Sequence, residues 1–111
     1  MTRLPMSSAA SSLLRALIAR AGVDRDRILL TEIQSVDWQS LTFTGERHQI
    51  ALRVTGADSA SVVEQMVSGL EDAEFSIPGV VVADIALLGE PRKALDRSTS
   101  VNIEALTVSA D

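Results

Sequence analysis

Two stretches of helical periodicity alternate with two pairs of strand-like stretches, and this order restricts the fold more than any single motif. Apolar residues recur every three to four positions over 8–21 and again over 59–73, which predicts two amphipathic helices. Stretches rich in β-branched residues or with alternating polarity follow each helix and predict strands at 28–37, 41–55, 80–89 and 99–109. The chain order is therefore helix, strand, strand, helix, strand, strand.

The ends of both helices carry recognisable signals. Ser7 or Ser8 is placed to cap the first helix, and Gly22 stands at the position that often ends one. Asp58 is the expected N-cap of the second helix. The first 23 residues contain no acid and are rich in Ser and Arg, as a transit peptide is, but the capping pattern favours an ordinary helix.

This order predicts an α+β fold for a single domain over residues 1–111. We expect a two-layer sandwich: a four-stranded, mainly antiparallel sheet with both helices on one face, arranged as a circularly permuted ferredoxin-like plait. With the strands numbered in chain order, the expected sheet order is 2-1-4-3. An order that places strands 2 and 3 side by side is the alternative.

The second predicted strand changes the phase of its alternation. Leu41 and Phe43 occupy odd positions, whereas the apolar residues from Ile50 to Val54 occupy even ones. A regular strand would place these two sets on opposite faces. Either Gly45-Glu46 forms a β-bulge in one long strand or Gly45 to Arg47 is a tight turn between two short ones, and the length of the first strand favours the bulge.

Composition and charge exclude several classes of protein. The chain has no cysteine, which removes disulfides and thiolate metal sites, and no apolar run reaches the ~20 residues of a membrane span. A net charge of −5 and three aromatic residues argue against a nucleic-acid surface. Residues 1–27 carry a net +3 (five Arg, two Asp) and the remainder carries −8 (five basic, thirteen acidic), so the first helix should dock on the acidic body or on a partner's.

The chemistry-bearing residues are few. His48 is the single histidine, and together with Glu46, Arg47 and Arg53 it forms the candidate ligand or functional cluster. No catalytic residue is assigned and no cofactor or metal is expected, because the sequence has neither a phosphate-binding glycine loop nor a ligand-spacing pattern. The sequence therefore favours a non-enzymatic role.

The third strand is too apolar for a sheet with one solvated face. Val81, Ala83, Ile85 and Leu87 are expected to face the core, which leaves Val80, Val82, Ala86 and Leu88 as a candidate interface. We interpret the chain as a cytoplasmic, non-catalytic module that forms a homodimer or binds a protein partner, without nucleic acid or membrane. The alternative is a small-molecule-binding or enzymatic dimer with its site near His48.

Overall fold

A computed structural model describes residues 6–110 and confirms the predicted α+β order. Short 3-10 turns at Arg25–Arg27 and Leu70–Asp72 accompany the main elements. The helices and strands are α1 (Ser8–Ala21), β1 (Ile28–Gln39), β2 (Thr44–Val54), α2 (Ser59–Val67), β3 (Val80–Lys93) and β4 (Thr99–Ser109).

The first helix has the predicted bounds and docks within its own chain. Ser7 is its N-cap, with the hydroxyl accepting a hydrogen bond from the Ala10 N–H at 3.1 Å, and Gly22 ends it in the left-handed conformation. Arg20, in the last turn, donates through Nε to the Met66 carbonyl at 2.9 Å. The same guanidinium lies 5.9 Å from the ring centre of Phe75. The basic character of α1 is thus used to hold the segment at and after the end of α2.

The second helix ends earlier than predicted. Its apolar stripe was expected to continue to residue 73, but Gly69 adopts φ 62° and stops the helix at Val67. Leu70 remains buried because the following 3-10 turn directs it into the core. Asp58 occupies the N-cap position without a capping bond, since its carboxylate pairs with Arg27 instead.

The sheet is four-stranded with order β1-β2-β4-β3, and every neighbouring pair is antiparallel. Both hairpins are as predicted, but the expected order 2-1-4-3 is wrong and β2 does not adjoin β3. The two inner strands, β2 and β4, are those with the strictest alternation of buried and exposed residues. Each inner strand has a hydrogen-bonded neighbour on both sides, and these two strands contribute most of the sheet's core residues. The permuted ferredoxin-like plait stays a prediction with which this order is compatible.

The irregularities of the sheet are in the outer strands. β2 pairs without a register shift from Thr44 onward, so the bulge predicted at Gly45-Glu46 is wrong. The phase change has another cause: Leu41 and Phe43 belong to the hairpin turn, where the Ser40 N–H donates to the Phe43 carbonyl at 2.8 Å. Register shifts occur instead in β1, between Leu30 and Glu32, and at two places in β3.

One face of the sheet carries both helices, and no described helix covers the other face. The core is aliphatic and joins Leu13 and Leu17 of α1 with Val63 and Met66 of α2. On the strands it contains the alternating buried residues Ile50, Leu52, Val54, Val101, Ile103 and Ala105. Within residues 6–110 no helix has the length and apolar character needed to cross a bilayer. We call the second, helix-free surface of the sheet the open face.

Candidate functional site

His48 lies in the core, on the face of the sheet that the helices cover. The regular alternation of β2 places it in phase with Ile50 and Leu52, and its side chain is 0% exposed. The register sets Ser35 of β1 on one side of the ring and Ala105 of β4 on the other. The imidazole is therefore enclosed by the sheet and the layer above it.

Two hydroxyl groups satisfy both ring nitrogens of His48. Nδ1 is 2.7 Å from Ser35 Oγ, and Nε2 is 2.9 Å from Thr107 Oγ1. Thr107 Oγ1 also lies 3.5 Å from the Glu46 carbonyl oxygen. A hydroxyl can donate or accept, so these two partners satisfy the neutral imidazole in either tautomer.

The surroundings keep His48 uncharged. Burial lowers the pKa of His48 because the imidazolium loses its hydration, and the negative charge of Glu46 raises it by a smaller amount. Both nitrogens already have partners and no solvent reaches the ring. A general acid or base has to reach a substrate proton, so this histidine is a structural member of the core.

The four residues of the candidate cluster do not converge. Glu46 is half-buried on the helix side, where it pairs across strands with Asp37. Arg47 and Arg53 lie on the open face, and Arg47 Nη1 bonds Glu104 Oε1 at 3.1 Å. Alternation along one strand separates odd from even positions, so neighbours in sequence here face opposite sides of the sheet. The cluster is thus divided, with Glu46 and His48 on the helix side and Arg47 and Arg53 on the open face, and its functional role stays a prediction.

A cleft of about 420 Å³ opens at the end of the sheet beyond His48. It extends across all four strands and shares Glu46 and Thr107 with the surroundings of the histidine. Its lining residues are Asp37, Trp38, Gln39, Thr44, Gly45, Glu46, Val80, Thr107 and Ser109. Two carboxylates, hydroxyl oxygens and an amide oxygen can accept hydrogen bonds here, so the cleft suits a cationic group that donates them. No group of three or more His, Cys, Asp or Glu among the residues described could hold a metal ion.

Gly45 shapes the floor of this cleft through a close approach of two backbones. A Cβ at this position would stand 1.9 Å from the Thr107 carbonyl oxygen and 2.9 Å from the Val108 Cα. Only glycine allows β2 to pass so near β4. The unusual glycine inside a strand pattern was visible in the sequence, and it marks a close approach instead of the predicted bulge.

The candidate interface on β3 is divided between two faces. A register shift between Val82 and Asp84 leaves Ala83 unpaired, so the alternation changes phase at that point. Val80 and Val82 pack against the core, whereas Ala86 and Leu88 lie on the open face. Their role as an interface stays a prediction.

The open face nevertheless has a strongly apolar end. Val36 of β1 is 55% exposed and Val81 of β3 is 51% exposed. Between them the register places Leu106 and Val108 of β4, both half-buried, and also the charged Arg47, which pairs directly with Val36. Val81 belongs to this apolar end, and the predicted Val80 does not. The bulge at Ala83 reverses which residues of β3 before it face the core and which face the open side.

Charge on the open face is balanced, unlike that of the whole chain. Its register positions carry three basic and three acidic residues, which leaves seven basic and twelve acidic residues elsewhere in the chain. The acidic surplus of five is therefore located away from this face. The six charged residues are Arg47, Arg53, Arg92, Glu32, Asp84 and Glu104.

Comparison with known proteins assigns no family. No family model matches the chain, and no curated protein matches it. Among solved structures, the chain is similar to the type 4 fimbrial biogenesis protein PilO from Pseudomonas aeruginosa, with 17% identity and a TM-score of 0.42. The similarity covers 96% of this chain and 70% of that one. At this level it assigns neither a fold nor an activity to this protein.

Proposed function

We propose that the protein is a non-catalytic module that forms a homodimer by stacking the open faces of two sheets. The observation that carries this proposal is the apolar end of the open face, with Val36 and Val81 more than half exposed. Contiguous apolar surface on a sheet is normally covered, and two-fold pairing of identical faces is the commonest way to cover it.

The size of the face supports a second copy as the occupant. Four strands spaced at ~4.8 Å, with about ten residues each at ~3.3 Å, cover roughly 600 Å². Two such faces bury about 1,200 Å² in total, the lower end of the range of stable, specific interfaces. Two sheets packed face to face at ~10 Å would interdigitate their side chains as a β-sandwich does.

Charge supports the same occupant. Two copies of a chain with net charge −5 repel each other on most of their surface. The open face carries no net charge, so it is where two copies approach at least electrostatic cost. A third observation concerns the alternative site: His48 is sealed, so the residues that suggested an enzymatic dimer offer no reaction centre.

Sedimentation velocity with purified protein tests the proposal. At concentrations from about 1 to 100 µM we expect a species of twice the 11.8 kDa chain mass. The double variant Val36→Glu/Val81→Glu should sediment as a monomer, because it replaces two apolar side chains of the dimer contact with charged ones. Both side chains are exposed in the single chain, so its fold should be retained.

Leu95→Glu is the matched control. Leu95 is 106% exposed in the turn between β3 and β4, at the opposite end of the sheet from Val36 and Val81, so this variant adds a charge away from their contact. It should remain dimeric. A monomeric wild type at 100 µM, or a double variant that dimerises as well as the wild type, would overturn the proposal.

A further inference from the structure

The two edges of the sheet differ in how well they are protected against another strand. On β3, Pro91 lacks an N–H, two register shifts distort the ladder, and Arg92 and Lys93 add charge at the end. These are the features by which natural sheets prevent unwanted pairing. On β1, pairing with β2 is regular from Glu32 to Gln39, and no described strand lies on the other side.

We propose that the outer edge of β1 binds an extended, basic peptide segment as a fifth strand, with one of its cationic side chains in the cleft. In an antiparallel or parallel ladder, every second residue of an edge strand directs its N–H and C=O outward. The regular segment of β1 offers these groups without a proline, a glycine or a bulge. Main-chain hydrogen bonds would supply affinity, as in other cases of strand addition.

The position of the cleft gives the added strand its specificity. Asp37 belongs to β1 and lines the cleft together with its cross-strand partner Glu46. A residue of the added strand opposite Asp37 shares its face, because side chains directly opposite each other in a ladder lie on the same side. A lysine or arginine there would meet both carboxylates, with Thr107 and Ser109 further inside the same cleft.

Charge distinguishes this occupant from a second copy of the chain. The regular segment of β1 contains Glu32 and Asp37 and no basic residue. Pairing two such strands would bring together four acids from two chains that each carry a net charge of −5. A basic strand removes this repulsion. The inference concerns the edge and the cleft, so it stands or falls separately from the dimer through the open face.

Trp38, the single tryptophan, is part of the edge strand and reports binding directly. The probe is a nine-residue peptide of alternating Thr and Lys, acetylated and amidated at its ends and free of tryptophan. We expect it to change the Trp38 emission in a saturable way, and we expect the counterpart with Glu for Lys to cause no change. Asp37→Asn/Glu46→Gln should weaken binding at least tenfold. The matched control Asp84→Asn/Glu90→Gln removes two acids from the opposite edge strand and should bind as the wild type does.

Backbone pairing is tested on the peptide, which leaves the protein unchanged. Two further probes carry N-methyl groups on alternate residues, one set at the Thr positions and the other at the Lys positions. In a strand added to β1, alternate N–H groups point toward β1 and the others point away from it. Methyl groups on the N–H groups that point away are tolerated, so one probe should bind. The other probe should lose at least tenfold in affinity. Equal affinity of both methylated probes, absence of saturable change with the basic peptide, or equal binding of the acidic one would overturn the inference. The mass of the same samples by sedimentation reports on the proposed dimer independently.

Discussion

Gly45→Ala should be strongly destabilising, because a methyl group at this position has no space. The added Cβ would stand 1.9 Å from the Thr107 carbonyl oxygen, and all three nearest atoms belong to the backbone of β4. Side-chain repacking cannot relieve such a contact. β2 and β4 would have to separate by about 1 Å at the end of the central strand pair.

The cost follows from that separation. Forced overpacking costs about 1–3 kcal/mol, and the loss of about two ladder hydrogen bonds adds ~0.5–1.5 kcal/mol each. We therefore expect a decrease of about 2–6 kcal/mol in the free energy of unfolding, a large part of the ~5–15 kcal/mol typical of a domain. In urea this corresponds to a midpoint lower by roughly 1–3 M, and in a thermal melt to a decrease of about 8–24 °C.

Gly79→Ala is the control that separates contact from backbone strain. Gly79 has φ 78° but nothing within 4 Å of an added Cβ, so alanine there should cost only the left-handed strain of about 1–2 kcal/mol. Urea unfolding followed by circular dichroism at one fixed protein concentration compares the two variants. If Gly45→Ala costs no more than Gly79→Ala, the close approach of β2 and β4 is not a constraint and the reasoning fails.

Two further predictions concern buried polar groups. His48 has a folded-state pKa below its ordinary value of 6.5, so the unfolded chain binds the proton more readily. Its contribution to stability should be complete above pH 6.5 and be lost as the pH falls from 6.5 toward the folded-state pKa, with a slope of at most about 1.4 kcal/mol per pH unit. Urea unfolding of the wild type and of His48→Gln between pH 5 and 7 checks this, and equal pH profiles would contradict it. Ser59→Ala should lower the free energy of unfolding by about 1–3 kcal/mol, because the buried Thr99 hydroxyl loses its partner at 2.7 Å. The exposed Ser61→Ala in the same helix should change it by less than about 0.5 kcal/mol.

Local signals in the sequence were sufficient where a single residue decides the structure. Ser7 and Gly22 defined α1 to the residue because both ends depend on short-range hydrogen bonds. Gly69 is a signal of the same kind that the prediction for α2 did not use, and the helix ends there. The alternation along β2 also indicated that His48 is buried, because His48 and Ile50 are two residues apart and therefore face the same side.

Long-range features could not be derived from periodicity. The sheet order depends on which hairpin edges meet, and alternation within a strand is identical for either choice. Periodicity does not indicate the position of a bulge either. Ala83 continues an apolar run, yet it is the residue left unpaired in β3. The hydrogen bonds of His48 require Ser35 and Thr107 to arrive from the two neighbouring strands, and their register appears only in the folded sheet. The four residues of the candidate cluster were grouped by sequence position, and the folded sheet divides them between its two faces.

The two proposed contacts use perpendicular directions of one sheet, so they are compatible. Stacking of open faces uses side chains that point away from the sheet, whereas strand addition uses N–H and C=O groups in its plane. Val36 lies on β1 but presents its side chain to the open face. Val36→Glu/Val81→Glu should therefore abolish the dimer and leave peptide binding at the β1 edge unchanged. If this variant lost both dimerisation and peptide binding, the β1 edge would be competent to bind only in the dimer. Strand addition would then depend on the stacking of the open faces.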